Sequence, residues 1–128
     1  MEVTSKRYRS TVIVRTEQGV LLAGDQSGLV LLPGGGVDHG ELPIAAAARE
    51  LHEETGLVAT SLQFLFHYES PTNLHHVYFC AAEGTPVAAD DAECLVFLDQ
   101  PAIESSLNLS PATRTILTRF EAWWQESD

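Results

Sequence analysis

The segment from Gly34 to Leu57, GGGVDHGELPIAAAARELHEETGL, joins three glycines to a short helical pattern that ends in Arg49, Glu50, Glu53 and Glu54. Pro43 is tolerated in the first turn of a helix and Gly56 can supply the left-handed residue that ends one, so the pattern predicts a helix from about Leu42 to Thr55. At about 100° per residue, Glu50, Glu53 and Glu54 stand at i, i+3 and i+4 and bring their carboxylates to one face. Ile44, Ala47, Ala48 and Leu51 form a neighbouring apolar face suited to packing on a sheet, and His52 points away from both. Three like charges near a helix C-terminus oppose the macrodipole and repel one another, at roughly 0.3–1 kcal/mol each. Arg49, four residues before Glu53, offsets one charge at most, whereas a divalent cation with hard oxygen ligands could offset all three.

An acidic helix face alone is more often a solvated surface than a metal site. What precedes this helix changes the balance. Gly34, Gly35 and Gly36 let backbone groups approach an ion or a phosphate with no side chain in the way. Asp38 and Glu41 then add two acidic groups between the glycines and the helix start. A glycine loop feeding an acidic helix suits a metal-bound polyphosphate.

The remaining chain fits that expectation. Its 128 residues suffice for one domain with its own core, 45% are hydrophobic and 20% charged, and no apolar run is long enough to cross a bilayer. The net charge of -11 repels a phosphate backbone, so binding to a nucleic-acid polymer is not expected, and an anionic substrate needs escorting cations. Residues 1–10 (MEVTSKRYRS) are polar and basic, which predicts no signal peptide. Cys80 and Cys94 lie in apolar, strand-like surroundings without C-x-x-C spacing and are expected to be buried thiols in a reducing, cytoplasmic setting. Strands are predicted at Tyr8–Arg15, Val20–Ala23, Gly28–Leu32, Ser61–Tyr68, His75–Ala82 and Glu93–Leu98, and Ser110-Pro111 opens a final helix ending near Gln125. Strands on both sides of helices predict a mixed sheet covered on both faces.

Gly35, five residues, Glu41, seven residues, then Arg49-Glu50-Leu51-x-Glu53-Glu54-x-Gly56-Leu57 resembles the Nudix box, G-x5-E-x7-R-E-U-x-E-E-x-G-U with U aliphatic, at every fixed position. The strand order and the segment Leu109 to Arg114 also suit that family. The resemblance therefore implies a single α/β (α+β) domain over residues 1–128, an α/β/α sandwich with a mixed β-sheet between helices. It implies hydrolysis of a nucleoside diphosphate linked to another group, with Mg2+ or Mn2+ and an attacking water. Glu50, Glu53 and Glu54 take the metal-ligand positions, and the Gly34 carbonyl is a candidate backbone ligand. Glu41 and Arg49 resemble the pair that orients those ligands. Glu53 or Glu50 is expected to take the proton of the water, while some members use an acid on a distant loop, for which Asp90, Asp91 and Glu93 are candidates. The small size favours a MutT-like nucleoside triphosphate pyrophosphatase. The alternatives are a Nudix-fold binding module without turnover and a metal-stabilised structural domain.

Other residues carry weaker signals. Arg7, Arg9 and Arg15 share one side of the first strand by period-2 alternation, and Arg9 in particular could reach substrate phosphates beside Gly34, Gly35 and Gly36. Adjacent His75 and His76 should point to opposite faces, which argues against a metal site built from both. Ile116, Leu117, Phe120, Trp123 and Trp124 form a helical stripe that reads as core, although the two tryptophans could instead mark a homodimer contact. Phe64, Phe66, Tyr68, Tyr78 and Phe79 could stack on a base or pack the sheet.

Overall fold

The structure, a computed structural model, describes residues 6–126; residues 1–5, where half of the leader reading falls, lie outside the described residues. The first strand, β1 (Arg7–Ile13), runs through Val14 into a short β2 (Arg15–Thr16), and β3 (Gly19–Gly24) returns beside β2. Then come β4 (Val30–Leu31), β5 (Gly34–Gly36), α1 (Pro43–Thr55), β6 (Val58–Glu69), β7 (Asn73–Glu83), β8 (Cys94–Leu98), α2 (Gln100–Ser105) and α3 (Pro111–Glu126). The strands form two sheets. The first is mixed, with order β5-β1-β7-β6 and a parallel β1–β7 pair; in the second, β3 pairs antiparallel with β2, β4 and β8.

Period-2 alternation on β1 and β7 explains why both faces of the mixed sheet are covered. Val12, Val14, Tyr78 and Cys80 join Ala47 and Leu51 of α1 in one core. Ile13 and Val77 join Ile116, Leu117 and Phe120 of α3 in the other, together with Ile103 of α2. The chain is thus the helix–sheet–helix sandwich expected from its sequence. Ile116, Leu117 and Phe120 of the α3 stripe are core, and the partly buried Trp123 and Trp124 pack against it, 5.8 and 5.5 Å from Phe79, ring centroid to ring centroid.

Several local expectations are corrected. The three glycines are not only a loop but a strand, paired antiparallel with β1 at Arg9↔Gly36, Ser10↔Gly35 and Thr11↔Gly34. Glycine carries no strand propensity, so this pairing is silent in the sequence. It requires glycine at position 34, where φ is 149° and a Cβ would fall 2.1 Å from the Ser10 carbonyl oxygen. On α1, Ala46 is buried and Ile44 is exposed, the reverse of the apolar face assigned to Ile44. Cys80 is buried, but Cys94, the first residue of β8, is exposed. The short α2 has no periodic signature; Asp99 caps it by accepting the Ala102 N–H at 3.0 Å.

Candidate functional site

Helix α1 starts at Pro43 without a side-chain cap and ends at Gly56, whose φ of 75° lets its N–H donate to the His52 carbonyl. That stop fixes where the last turn delivers its side chains. Arg49 is their organiser: its Nε donates to Glu41 Oε2 at 2.8 Å and its Nη2 to Glu41 Oε1 at 2.9 Å. Its Nη1 donates to Glu50 Oε1 and to Glu53 Oε1, both at 2.8 Å, and its Nη2 reaches the Gly36 carbonyl at 3.0 Å. Asp38 completes the ring of acids, 3.5 Å from Nη2. One guanidinium is therefore shared among four carboxylates, well beyond the single Arg49–Glu53 pair that helical spacing suggested. Hydrogen bonds from Arg49 hold the Glu41 carboxyl down at about 2, and the carboxylates raise the Arg49 pKa above its ordinary value.

Glu54 turns the other way. It is buried beneath β5 and accepts the Gly34 N–H at 3.2 Å. Burial pushes its carboxyl up to about 7, against the opposing pull of the Gly34 N–H and the Arg9 charge. Glu50 lies against Gly35, where a Cβ would sit 2.4 Å from its carboxyl carbon. Across from them is Arg9, whose Nη2 contacts the Leu32 carbonyl at 3.4 Å. Burial lowers the Arg9 pKa, while Glu54 and Glu50 act to raise it.

These groups border a cleft of about 330 Å³ in which Arg7, Arg9, Gly34, Gly35, Gly36, Glu50, Glu54 and Asp91 converge. Glu41, Arg49 and Glu53 do not line it; Arg49 links Glu41 and Glu53 to Glu50 at its border. Of the loop acids, Asp91 reaches the cleft, whereas Glu93 accepts from Gln26 Nε2 at 3.1 Å and Asp90 adopts φ 56° on the same loop. Arg15 is not at the site: its Nη1 pairs with Glu121 at 3.2 Å and its guanidinium lies over the Trp124 ring. Alternation does bring Arg15 to the same side as Ile13, the side covered by α3, but further along the chain than Arg9 and away from the cleft.

Among the described residues, no three Asp, Glu, His or Cys side chains stand together as a ready cage for a metal ion. The geometry gives the reason: Arg49 holds Glu50 and Glu53 where their charges converge, and Glu54 is turned to Gly34. The donor set nonetheless fits Mg2+ or Mn2+, because it is all hard oxygen and acidic beyond what Arg49 and Arg9 neutralise. A buried carboxyl as strained toward neutrality as Glu54 gains from a cation beside it.

A second cavity of about 410 Å³ adjoins the cleft and shares Arg9, Leu31 and Leu32 with it. Its walls include Thr11 of β1, His75 of β7 and Pro111 and Thr113 at the start of α3. Ser110 caps α3 by accepting the Thr113 N–H at 3.1 Å, and Thr113 Oγ1 accepts the Leu32 N–H at 3.2 Å, which ties α3 to the turn before β5. Sequence reasoning missed this cavity. Its residues come from segments more than 60 and 30 positions apart, and no spacing connects them.

Residues 5–120 match the NUDIX domain family. An 8-oxo-dGTP diphosphatase from Haemophilus influenzae (strain ATCC 51907 / DSM 11121 / KW20 / Rd) is 33% identical over 93 residues, covering 69% of this chain and 67% of that protein. An RNA pyrophosphohydrolase from Bartonella clarridgeiae is 48% identical over 54 residues, 39% of this chain and 31% of that protein. A second RNA pyrophosphohydrolase, from Rhizobium meliloti (strain 1021), is 37% identical over 49% of this chain and 47% of its own length, so the chain spans about a third to a half of these two relatives. A solved Nudix-family structure from Chromobacterium violaceum superposes with a TM-score of 0.85 at 33% identity, covering 94% of this chain and 80% of that one.

Proposed function

The chain belongs to the Nudix family, and from that membership we propose that it is a divalent-cation-dependent pyrophosphohydrolase whose substrate is a nucleoside triphosphate or a related nucleotide. One observation carries this reading: carboxylates suited to a cation, Glu50 and Glu54, and arginines suited to phosphate, Arg7 and Arg9, border one cleft floored by glycine backbone. A polyphosphate with its metal ion is the ligand that needs both charges side by side.

Glu50, Glu53 and Glu54 would hold Mg2+ or Mn2+, with the Gly34 carbonyl as a candidate backbone ligand. When bound, the ion supplies neutralisation of phosphate charge and a lowered pKa for the attacking water. The protein's own residues do the rest. Arg49 and Glu41 position Glu50 and Glu53 through the hydrogen bonds already described, and Arg9 binds phosphate oxygens from the opposite wall. Gly34, Gly35 and Gly36 admit the phosphates close to the backbone. Glu53 or Glu50 accepts the proton of the water, with Asp91 as the loop acid that borders the same cleft. The nucleoside occupies the adjoining cavity, since Arg9 belongs to both spaces and its remaining wall is mainly apolar. The whole functions as a single domain.

Among the described residues no helix is long and apolar enough to cross a membrane. The test is product analysis by anion-exchange chromatography after incubation with Mg2+ and a panel of nucleoside triphosphates, ADP-ribose, dinucleoside polyphosphates and NADH. Release of pyrophosphate or a nucleoside monophosphate from one of them is expected, and Glu53→Gln is expected to abolish it. No cleavage of any compound with Mg2+ or Mn2+ overturns the proposal in favour of a binding module.

A further inference from the structure

Among the described residues, six of the seven lysine and arginine side chains are committed to partners within the protein. Lys6 pairs with Glu69, Arg15 with Glu121 and Arg49 with its ring of acids. Arg9, Arg114 and Arg119 donate to the backbone carbonyls of Leu32, Ile103 and His67. The seventh, Arg7, is exposed, and its guanidinium has neither a hydrogen bond nor an ion pair, although the chain carries 18 acidic side chains against 7 basic ones. It nevertheless borders the cleft of about 330 Å³. Three acids of that cleft are engaged elsewhere: Glu50 accepts from Arg49, Glu54 from the Gly34 N–H, and Asp25 from Ser27 and Leu29. Two positions along β1 stands a second cation, Arg9. Burial lowers the Arg9 pKa, Glu54 and Glu50 oppose that, and the Arg7 charge adds to the lowering. Two like charges placed side by side repel, and a bound anion relieves both.

We propose that Arg7 is a specificity-determining residue that binds the terminal phosphate of a nucleoside triphosphate, so that the protein selects triphosphates over nucleoside diphosphates. This rests on the reading that the cleft takes the phosphates and the adjoining cavity the nucleoside. Arg9 borders both spaces and Arg7 only the cleft, so the phosphate next to the nucleoside meets Arg9, and Arg7 is left for one further along. The guanidinium offers paired N–H groups in a fork that matches two phosphate oxygens. Because no carboxylate has to release it first, the whole of that interaction is open to the ligand. A diphosphate ends one phosphate short and leaves Arg7 in water. A neutral sugar in the terminal position gives the guanidinium no charge to meet. The side chain is exposed, so the pair is screened by salt and its selectivity falls as ionic strength rises.

The experiment is titration calorimetry of the wild type, Arg7→Ala and Arg7→Glu, with Ca2+ in place of Mg2+ and with circular dichroism to verify the fold. The probes are the mono-, di- and triphosphates of adenosine, guanosine, cytidine and uridine. For the base that binds best, the wild type is expected to hold the triphosphate about tenfold or more tighter than the diphosphate, the scale of one charge-assisted hydrogen bond. Arg7→Ala is expected to bring that ratio to within about threefold by weakening the triphosphate, and Arg7→Glu to weaken the triphosphate further. A wild type that binds the two equally overturns the proposal. So does a folded Arg7→Ala that keeps the wild-type ratio, a loss shared equally by mono-, di- and triphosphate, an Arg7→Glu no weaker than Arg7→Ala, or the absence of binding by any probe. These titrations read affinity and not product, so an Arg7-dependent preference stands even where product analysis finds no hydrolysis. Cleavage of a nucleotide together with an unchanged ratio in Arg7→Ala overturns this proposal alone and leaves the hydrolase reading in place.

Discussion

Replacing Gly35 with alanine puts a number on how tightly the cleft is built. The backbone at Gly35 is not left-handed, so alanine meets no backbone strain there. Its Cβ would, however, lie 2.4 Å from Glu50 Cδ and 2.5–2.6 Å from both carboxyl oxygens, where ordinary contact begins at 3.4 Å. The carboxyl must therefore retreat by about 1 Å, and a 1 Å misplacement of a reacting group costs about 100-fold in rate. Because the displaced atoms are the end of a flexible side chain, and Gly→Ala at a compatible site stabilises by about 0.4–1 kcal/mol, net stability should change by less than about 1 kcal/mol. The assay is kcat/KM with Mg2+ on the substrate found in the panel, alongside thermal unfolding. Gly36→Ala is the comparison: its Cβ meets nothing within 4 Å, and a loss below about tenfold is expected. Wild-type activity in Gly35→Ala, within about threefold, would refute the argument that Glu50 must sit against β5.

Arg49→Ala removes the partner of Glu41, Glu50, Glu53 and Asp38 together and is expected to lower metal affinity or activity by about 10–100-fold, read from the Mg2+ dependence of turnover. Stability should fall in acid through His75. Its folded pKa of about 4 lies below the unfolded value of about 6.5, so the unfolded chain gains a proton first as pH drops. The contribution is complete above about pH 6.5, has lost about 2 kcal/mol by pH 5, and levels off below the folded value; His75→Gln should remove that slope in urea denaturation at the two pH values. For the cysteines, an aromatic disulfide reagent should titrate one thiol in the native protein, the exposed Cys94. Cys80, buried and pushed up to about 11, should react only on unfolding, and two fast thiols would contradict its burial.

The sequence by itself determined the helix that carries the acids, its stop at Gly56 and the family, because these depend on residues within one 24-residue segment. Period-2 and helical spacing also placed most strands and the core stripe of α3, since local sterics and burial impose those periods. What the sequence could not decide is where the side chains of that segment point. Spacing sets Glu50, Glu53 and Glu54 on one face, yet Arg49 draws Glu50 and Glu53 together while Gly34 draws Glu54 beneath β5. Helical spacing also joins Arg49 to Glu53 alone, whereas the fold brings in Glu41 and Asp38 from the loop before the helix. Nor does alternation along the first strand reveal that Arg9 enters the cleft and Arg15 leaves it for Glu121. The cavity with Thr11, His75 and Thr113 belongs wholly to the tertiary structure, because the parallel β1–β7 pairing and the docking of α3 bring together residues that share no local pattern. Local chemistry is written in local spacing; a binding surface assembled from distant segments exists only once long-range packing has offset the entropy of bringing them together.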